Sequence, residues 1–127
     1  MSKYLINTNV LIDHLRGDPL ANRWLQDVAG GRVRATISVI TECELLTSPL
    51  LTPREERRIV ELLELSPRVA VTSHIAQVAA RLRRRYPITI ADALIAATAL
   101  HSHATLLTRN LKDFQPIREL HVQSLPP

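Results

Sequence analysis

The sequence predicts an α/β fold in which a parallel sheet is flanked by helices on both faces. Short apolar runs such as Tyr4-Leu5-Ile6 alternate with longer segments of helical periodicity, and this alternation is typical of parallel sheets. Capping and turn residues separate the two kinds of segment, with no repeat or low-complexity stretch between them. A chain of 127 residues suits one domain with a sizeable core, so residues 1–127 are predicted to form a single unit.

The first half of the chain is predicted to contain two strands and four helices. Asp18 precedes Pro19, and this order predicts a capped helix start because proline suits the first helical turn. Thr52-Pro53-Arg54-Glu55 is a capping box and predicts another helix start. The expected elements are strands at 3–7 and 33–37, and helices at 9–16, from 19 to Gly30-Gly31, from the cap Ser38 onward, and from 53 to about 63.

The second half is predicted to contribute three more short strands, which brings the sheet to four or five. The segment 72–86 has apolar residues at intervals of three and four, as expected for a helix that buries one face. That stripe consists of Ile75, Val78, Ala79, Leu82 and Tyr86. The remaining elements, which follow the break at Pro67, are a helix from 90 to about 103 and strands at 69–71, 105–107 and 120–122.

Composition limits the compartment and the classes of partner. No apolar run approaches the roughly 18–20 residues that a membrane-spanning helix needs. The single cysteine, Cys43, cannot form an internal disulfide, which favours a reducing cytoplasm, and we expect it to be a small buried apolar residue. A net charge of +4 and a pI near 10.0 allow a polyanionic partner such as RNA without requiring one.

Four polar positions lie beside short apolar runs: Asn7, Glu42, Asp92 and Asp113. In α/β folds, ligands bind at the carboxyl ends of parallel strands, so a fold that gathers these positions would form a pocket for a divalent cation. Hard cations prefer oxygen ligands. Without a cation, clustered acids repel one another, and the pKa of at least one should rise.

The order and content of four sequence blocks resemble PIN domains of the VapC toxin type. Each block alone is a weak signal, but together they extend over nearly the whole chain in the order that the family has. The blocks are YLINTNVLID at 4–13, SVITECEL at 38–45, IADALIAATA at 90–99 and LTRNLKDF at 107–114.

The resemblance implies a PIN-like (Rossmann-like) sheet and a metal-dependent endoribonuclease that cleaves RNA with Mg²⁺ or Mn²⁺. Its metal ligands would be Asn7, Glu42, Asp92 and Asp113, with Asn110 as a rival for the last position. Supporting polar roles fall to Thr8, Thr108 and Asn110. The resemblance also implies a cytoplasmic bacterial or archaeal toxin, a homodimer, and a cognate VapB-type antitoxin as partner.

Asn7 departs from the family pattern, which has an acid at this position. An amide brings no charge and replaces one acceptor by a donor, so we expect metal affinity or activity to fall at least ~10²-fold, extrapolating from the effect of lost supporting groups. The intact surroundings favour deliberate inactivation of a toxic nuclease over natural loss. The alternative is a catalytically inactive PIN-fold module that binds RNA or an antitoxin.

Simpler interpretations exist for several of these residues. Asp92 could only cap a helix together with Thr89, and Glu42 is preferred to Glu44 only by its place in the motif. His101 and His103 suit a helix C-terminus, which favours cations without any metal. The arginines of the segment 72–86 could either contact RNA phosphates or form an ordinary solvated face: Arg81, Arg83, Arg84 and Arg85.

Overall fold

The computed structural model describes residues 2–125 and contains one five-stranded sheet of order β3-β2-β1-β4-β5. All of its strand pairs are parallel. The strands are β1 (Lys3–Ile6), β2 (Arg34–Ser38), β3 (Arg68–Val69), β4 (Thr105–Leu107) and β5 (Val122–Gln123). The helices are α1 (Thr8–Leu15), α2 (Pro19–Ala29), α3 (Val39–Leu45), α4 (Pro53–Leu63), α5 (Ser73–Arg85), α6 (Ile90–His101) and α7 (Leu111–Phe114).

Helices cover both faces of the sheet, which confirms the predicted fold class. β1 lies at the centre, where Leu5 is in register with Thr36 of β2 and Leu106 of β4. Leu5 and Ile6 are fully buried in two different core clusters, because successive strand residues point to opposite faces. The central strand therefore has no solvent-facing side.

The predicted helix caps are present. Asp18 accepts a hydrogen bond from the backbone N–H of Ala21 ahead of Pro19, and the Thr52 capping box with Glu55 is complete. α1 begins one residue earlier than the sequence indicated. Asn7 itself caps this helix, because its side-chain oxygen accepts from the N–H of Thr8 at 2.9 Å.

Several expectations about the second half were wrong in detail. The short helix α7 was not predicted, since its four residues are too few for a periodicity to be recognised. β3 lies at Arg68–Val69 rather than 69–71. β5 lies at Val122–Gln123 rather than 120–122, and Leu120 packs in the core just before it.

Cys43 is exposed, so the expectation of a buried cysteine was wrong. Thr41 and Leu45 form the buried side of α3, and they are four residues apart and share one face of the helix. Cys43 lies midway between them and therefore faces away from the core. Within residues 2–125, no helix has the combined length and apolar character needed to cross a membrane.

Replacing Phe114 by alanine tests the role of α7. Phe114 is fully buried, so Phe114→Ala should lower the free energy of unfolding by about 3–5 kcal/mol, measured by urea denaturation. Leu50→Ala is the control, because Leu50 is 85% exposed and its truncation should change stability little. Equal, small effects of the two substitutions would show that α7 does not anchor the fold.

Candidate functional site

The candidate site lies at the carboxyl edge of the sheet. Asn7 follows β1, α3 follows β2 at Val39, and Thr108 follows β4. Because the strands are parallel, these three chain exits meet at the same edge, where α/β folds bind ligands. The topology thus places two of the predicted polar positions next to each other.

Asn7 is buried, with 6% of its surface exposed, and both ends of its amide are hydrogen-bonded. Its oxygen accepts from the N–H of Thr8 at 2.9 Å, and its Nδ2 donates to the hydroxyl of Thr108 at 2.9 Å. Its backbone N–H donates to the carbonyl of Leu107 at 2.9 Å. Residue 7 therefore joins β1, α1 and β4.

The buried hydroxyl of Thr108 lies within hydrogen-bonding distance of three donors, although it can accept only two hydrogen bonds. Nδ2 of Asn7, Nδ2 of Asn9 and the backbone N–H of Asn110 lie 2.9, 3.3 and 3.0 Å from Oγ1. A hydroxyl offers two acceptor sites and one proton, and no residue of the range 2–125 accepts that proton. A carboxylate at position 7 would accept it and leave two donors for two acceptor sites. The hydrogen bonding around position 7 suits aspartate better than asparagine.

Glu44, rather than Glu42, is the acid of α3 that contacts Thr8, the residue after Asn7. The hydroxyl of Thr8 donates to Oε1 of Glu44 at 2.7 Å, and it lies 3.0 Å from the hydroxyl of Thr41. Glu42 instead lies beside β3, with its carboxylate 4.0 Å from Nε of Arg68. Residues two apart on a helix do not share a face, so only one of the two glutamates can point into the site.

Asp92 and Asp113 lie close enough to influence each other. Burial raises the pKa of Asp92, and the charges of Asp113 and Glu44 raise it further, against a lowering hydrogen bond from Thr89. The charges of three carboxylates, Asp92, Asp113 and Glu44, therefore interact at this edge of the sheet. The charge of Asp113 acts on Asp92, and the backbone N–H of Asn110 donates to Thr108.

The oxygen atoms of these side chains are of the type that a hard divalent cation prefers, but the side chains are not arranged around a common point. Carboxylate oxygens are the ligands that Mg²⁺ and Mn²⁺ prefer. Among residues 2–125, however, no three His, Cys, Asp or Glu side chains converge closely enough to hold a metal. The buried Asn7 amide adds no charge to the acids at this edge.

Arg109 fixes the loop between β4 and α7, a role that sequence reasoning missed. Its guanidinium lies 2.6 Å from Asp18 and 3.2 Å from Asp13, and its backbone N–H donates to the Asn9 side chain at 3.2 Å. These contacts tie the segment that carries Thr108 to the helices α1 and α2. Its presence in the block LTRNLKDF was the only signal in the sequence.

The four arginines of α5 do not act alike. Arg83 donates to the backbone carbonyl of Ile88 at 3.0 Å, and Arg85 lies 4.0 Å from Glu119. Both therefore have structural partners at the end of the helix. Arg81 and Arg84 have no ion-pair partner within the described range 2–125.

The sequence matches one family model and resembles two named ribonucleases along most of its length. Residues 4–119 match a family model described as PIN domain. Over 121 residues, the chain is 33% identical to Ribonuclease VapC19 of Mycobacterium tuberculosis, covering 91% of this chain and 95% of that protein. Over 130 residues, it is 32% identical to Ribonuclease VapC1 of Haemophilus influenzae, with coverage of 94% and 96%.

A solved structure gives a similar result for the fold. A chain in a toxin–antitoxin complex from Klebsiella pneumoniae superposes with a TM-score of 0.80 at 29% identity. The match covers 97% of this chain and 98% of that one. The likeness therefore includes the whole sheet and the helices that surround the acids.

Replacing Asp92 by asparagine tests whether the acids are crowded. Because the pKa of Asp92 is raised in the fold, the folded state binds more protons than the unfolded state, and its stability falls as pH rises through that pKa. Asp92→Asn should therefore raise the melting temperature at neutral pH in the presence of chelator. The gain should shrink as pH falls toward the ordinary aspartate pKa of 3.8.

Glu61→Gln is the matched control, because Glu61 is an exposed acid on α4. Its effect on the melting temperature should be small and should not follow the pH profile of Asp92→Asn. A lower melting temperature for Asp92→Asn at neutral pH would contradict the crowded arrangement.

Proposed function

The chain belongs to the PIN domain family, and we propose that it is a VapC-like ribonuclease toxin whose metal site is weakened by the amide at position 7. The observation that carries this proposal is that the charges of Asp113 and Glu44 act on Asp92, while Glu44 is hydrogen-bonded to Thr8, the neighbour of Asn7. Such crowding costs stability unless a cation neutralises it. The relatives named as ribonucleases support the choice of RNA as substrate.

In this proposal, Asp92, Asp113 and Glu44 hold Mg²⁺ or Mn²⁺, and Glu44 replaces Glu42 in the ligand set inferred from the motif. When bound, the cation supplies charge neutralisation at the phosphate and an activated water. Thr8 orients Glu44 through its 2.7 Å hydrogen bond. Thr108 holds residue 7 in place. An acid at position 7 would complete the set.

RNA would approach this edge of the sheet through phosphate contacts. The net charge of +4 favours a polyanion, and Arg81 and Arg84 offer guanidinium groups for that purpose. The acids would repel an RNA phosphate held near them unless a bound cation neutralised their charge. Binding and cleavage of RNA should therefore both depend on metal.

A VapB-type antitoxin is the proposed protein partner, since the similar Klebsiella chain lies in a toxin–antitoxin complex. A groove of about 340 Å³ between α1, α3 and α4 reaches Glu44, with Arg16 and Arg58 among its lining residues. An amphipathic antitoxin segment fits a groove with an apolar floor and charged walls. The apolar lining consists of Ile12, Leu15, Leu45, Leu51 and Ile59. The proposal also includes that the protein is a homodimer and acts in a bacterial or archaeal cytoplasm.

The second candidate is a non-catalytic PIN-fold module that binds RNA or an antitoxin. The amide of Asn7 favours it, because both ends of that amide are already used within the fold. The two candidates differ in one respect that can be measured. The nuclease needs only a carboxylate at position 7 to cut RNA, whereas a binding module stays inert after that change.

Restoring the acid is the direct test. Asn7→Asp should give RNA cleavage that requires Mg²⁺ or Mn²⁺ and that stops with chelator, with a rate at least ~10²-fold above the Asn7 chain, the factor extrapolated from supporting groups. The measurement is cleavage of total bacterial RNA on a denaturing gel. The double variant Asn7→Asp/Asp92→Asn should be inert, which controls for a contaminating nuclease. If Asn7→Asp stays inert while it still binds RNA, the binding-module candidate holds.

Substitution of the two glutamates identifies the ligand on α3. In the Asn7→Asp background, Glu44→Gln should lower the cleavage rate by at least ~10-fold, as for loss of a metal-supporting group. Glu42→Gln should leave it nearly unchanged, because Glu42 lies beside Arg68. The opposite ranking of the two rates would return the ligand role to Glu42.

A further inference from the structure

Two histidines from different helices meet at the surface, at the opposite end of α6 from Asp92. His74 lies in the first turn of α5, and His101 is the last residue of α6. Their ring centroids are 5.6 Å apart, and the ring planes are inclined by 56°. Only the packing of α5 against α6 brings these residues together, since 26 positions separate them in the sequence.

The imidazole nitrogens of this pair are available to a ligand. Both side chains are exposed, and within residues 2–125 neither ring takes part in a hydrogen bond or an ion pair. His14 provides the contrast, because its Nδ1 lies 2.6 Å from the side chain of Asn22. A neutral imidazole with a free ring nitrogen is the commonest metal ligand among side chains.

We propose that His74 and His101 form a second metal site, which binds a late first-row divalent cation such as Cu²⁺, Ni²⁺ or Zn²⁺. Imidazole suits these ions, and their affinities rank with Cu²⁺ first. A zinc–nitrogen bond measures about 2.0–2.1 Å, so one cation between the rings is compatible with the observed centroid separation. The ion would join the start of α5 to the end of α6.

The proposed site supplies two protein ligands, with water completing the coordination shell. No group of three His, Cys, Asp or Glu side chains able to hold a metal occurs in the range 2–125, so a closed structural site of four residues is excluded there. The binding should therefore be reversible and should release with chelator. Removal of either histidine should leave a single nitrogen, which holds a cation far less tightly.

This site is independent of the acidic one in position and in chemistry. Asp92 and His101 are nine residues apart on α6, which corresponds to about 14 Å along the helix axis at 1.5 Å per residue. Imidazole nitrogen suits the late transition ions, whereas Mg²⁺ and Mn²⁺ prefer carboxylate oxygen to imidazole nitrogen. Failure of one site to bind metal would therefore leave the other untouched.

The test is calorimetric titration of the untagged full chain with Ni²⁺ and with Cu²⁺. The parent protein and every variant carry the substitution Cys43→Ser. That background is needed because the thiol of Cys43 is exposed and could bind or reduce the added ion. One equivalent of metal should bind. His74→Ala and His101→Ala should each weaken binding by at least ~10-fold, as expected when a metal site loses a supporting group.

Two further histidines serve as matched controls. His103→Ala and His121→Ala remove exposed imidazoles outside the pair and should bind Ni²⁺ as tightly as the parent. Asp92→Asn should also bind Ni²⁺ normally, which separates this site from the acidic one. Unchanged affinity in His74→Ala or His101→Ala would overturn the proposal, as would an equal loss in His103→Ala.

Discussion

Two hydrogen bonds from residue 7 hold together the edge of the sheet on which the site is built. The backbone N–H of Asn7 donates to Leu107, and its side chain donates to Thr108, both at 2.9 Å. They join the end of the central strand to the end of β4, and the side-chain oxygen also starts α1. α3 and the β4–α7 loop leave the sheet beside that junction, which positions Glu44 and Asp113, whereas Asp92 comes from α6.

The hydrogen bonding at this junction suits a carboxylate. Three donors point at the hydroxyl of Thr108. An acid at residue 7 would reduce the number of donors to two. At the same edge, the charges of Asp113 and Glu44 raise the pKa of Asp92. Repulsion between acids lowers stability, and in the proposed function a bound cation would offset it. In the proposed function, the amide at residue 7 reduces this repulsion and also removes a ligand.

Much of this could be predicted from the sequence, and the exceptions have physical causes. Alternation of strands and helices predicted the parallel sheet, and Asp18 and Thr52 predicted helix starts, because these signals are local. The choice between Glu42 and Glu44 could not be made from spacing, since it depends on how α3 is rotated against Thr8. Pairing of His74 with His101 depends on packing between two helices, which no local pattern encodes.

The shortest helix and the arginine contacts were also beyond local patterns. α7 has only four residues, and its position is set by burial of Phe114. Arg109 reaches Asp13 and Asp18 across some 90 positions of sequence, so only the folded chain reveals that it fixes the loop.

The central claim is that a cation site at the sheet edge lacks one negative ligand at residue 7. Calorimetric titration of Mn²⁺ into the Asn7 chain and into Asn7→Asp measures this without any substrate. The account predicts at least ~10²-fold tighter binding to the aspartate form, by extension from the 10–100-fold cost of losing supporting groups. Equal Mn²⁺ affinities for the two forms would contradict it.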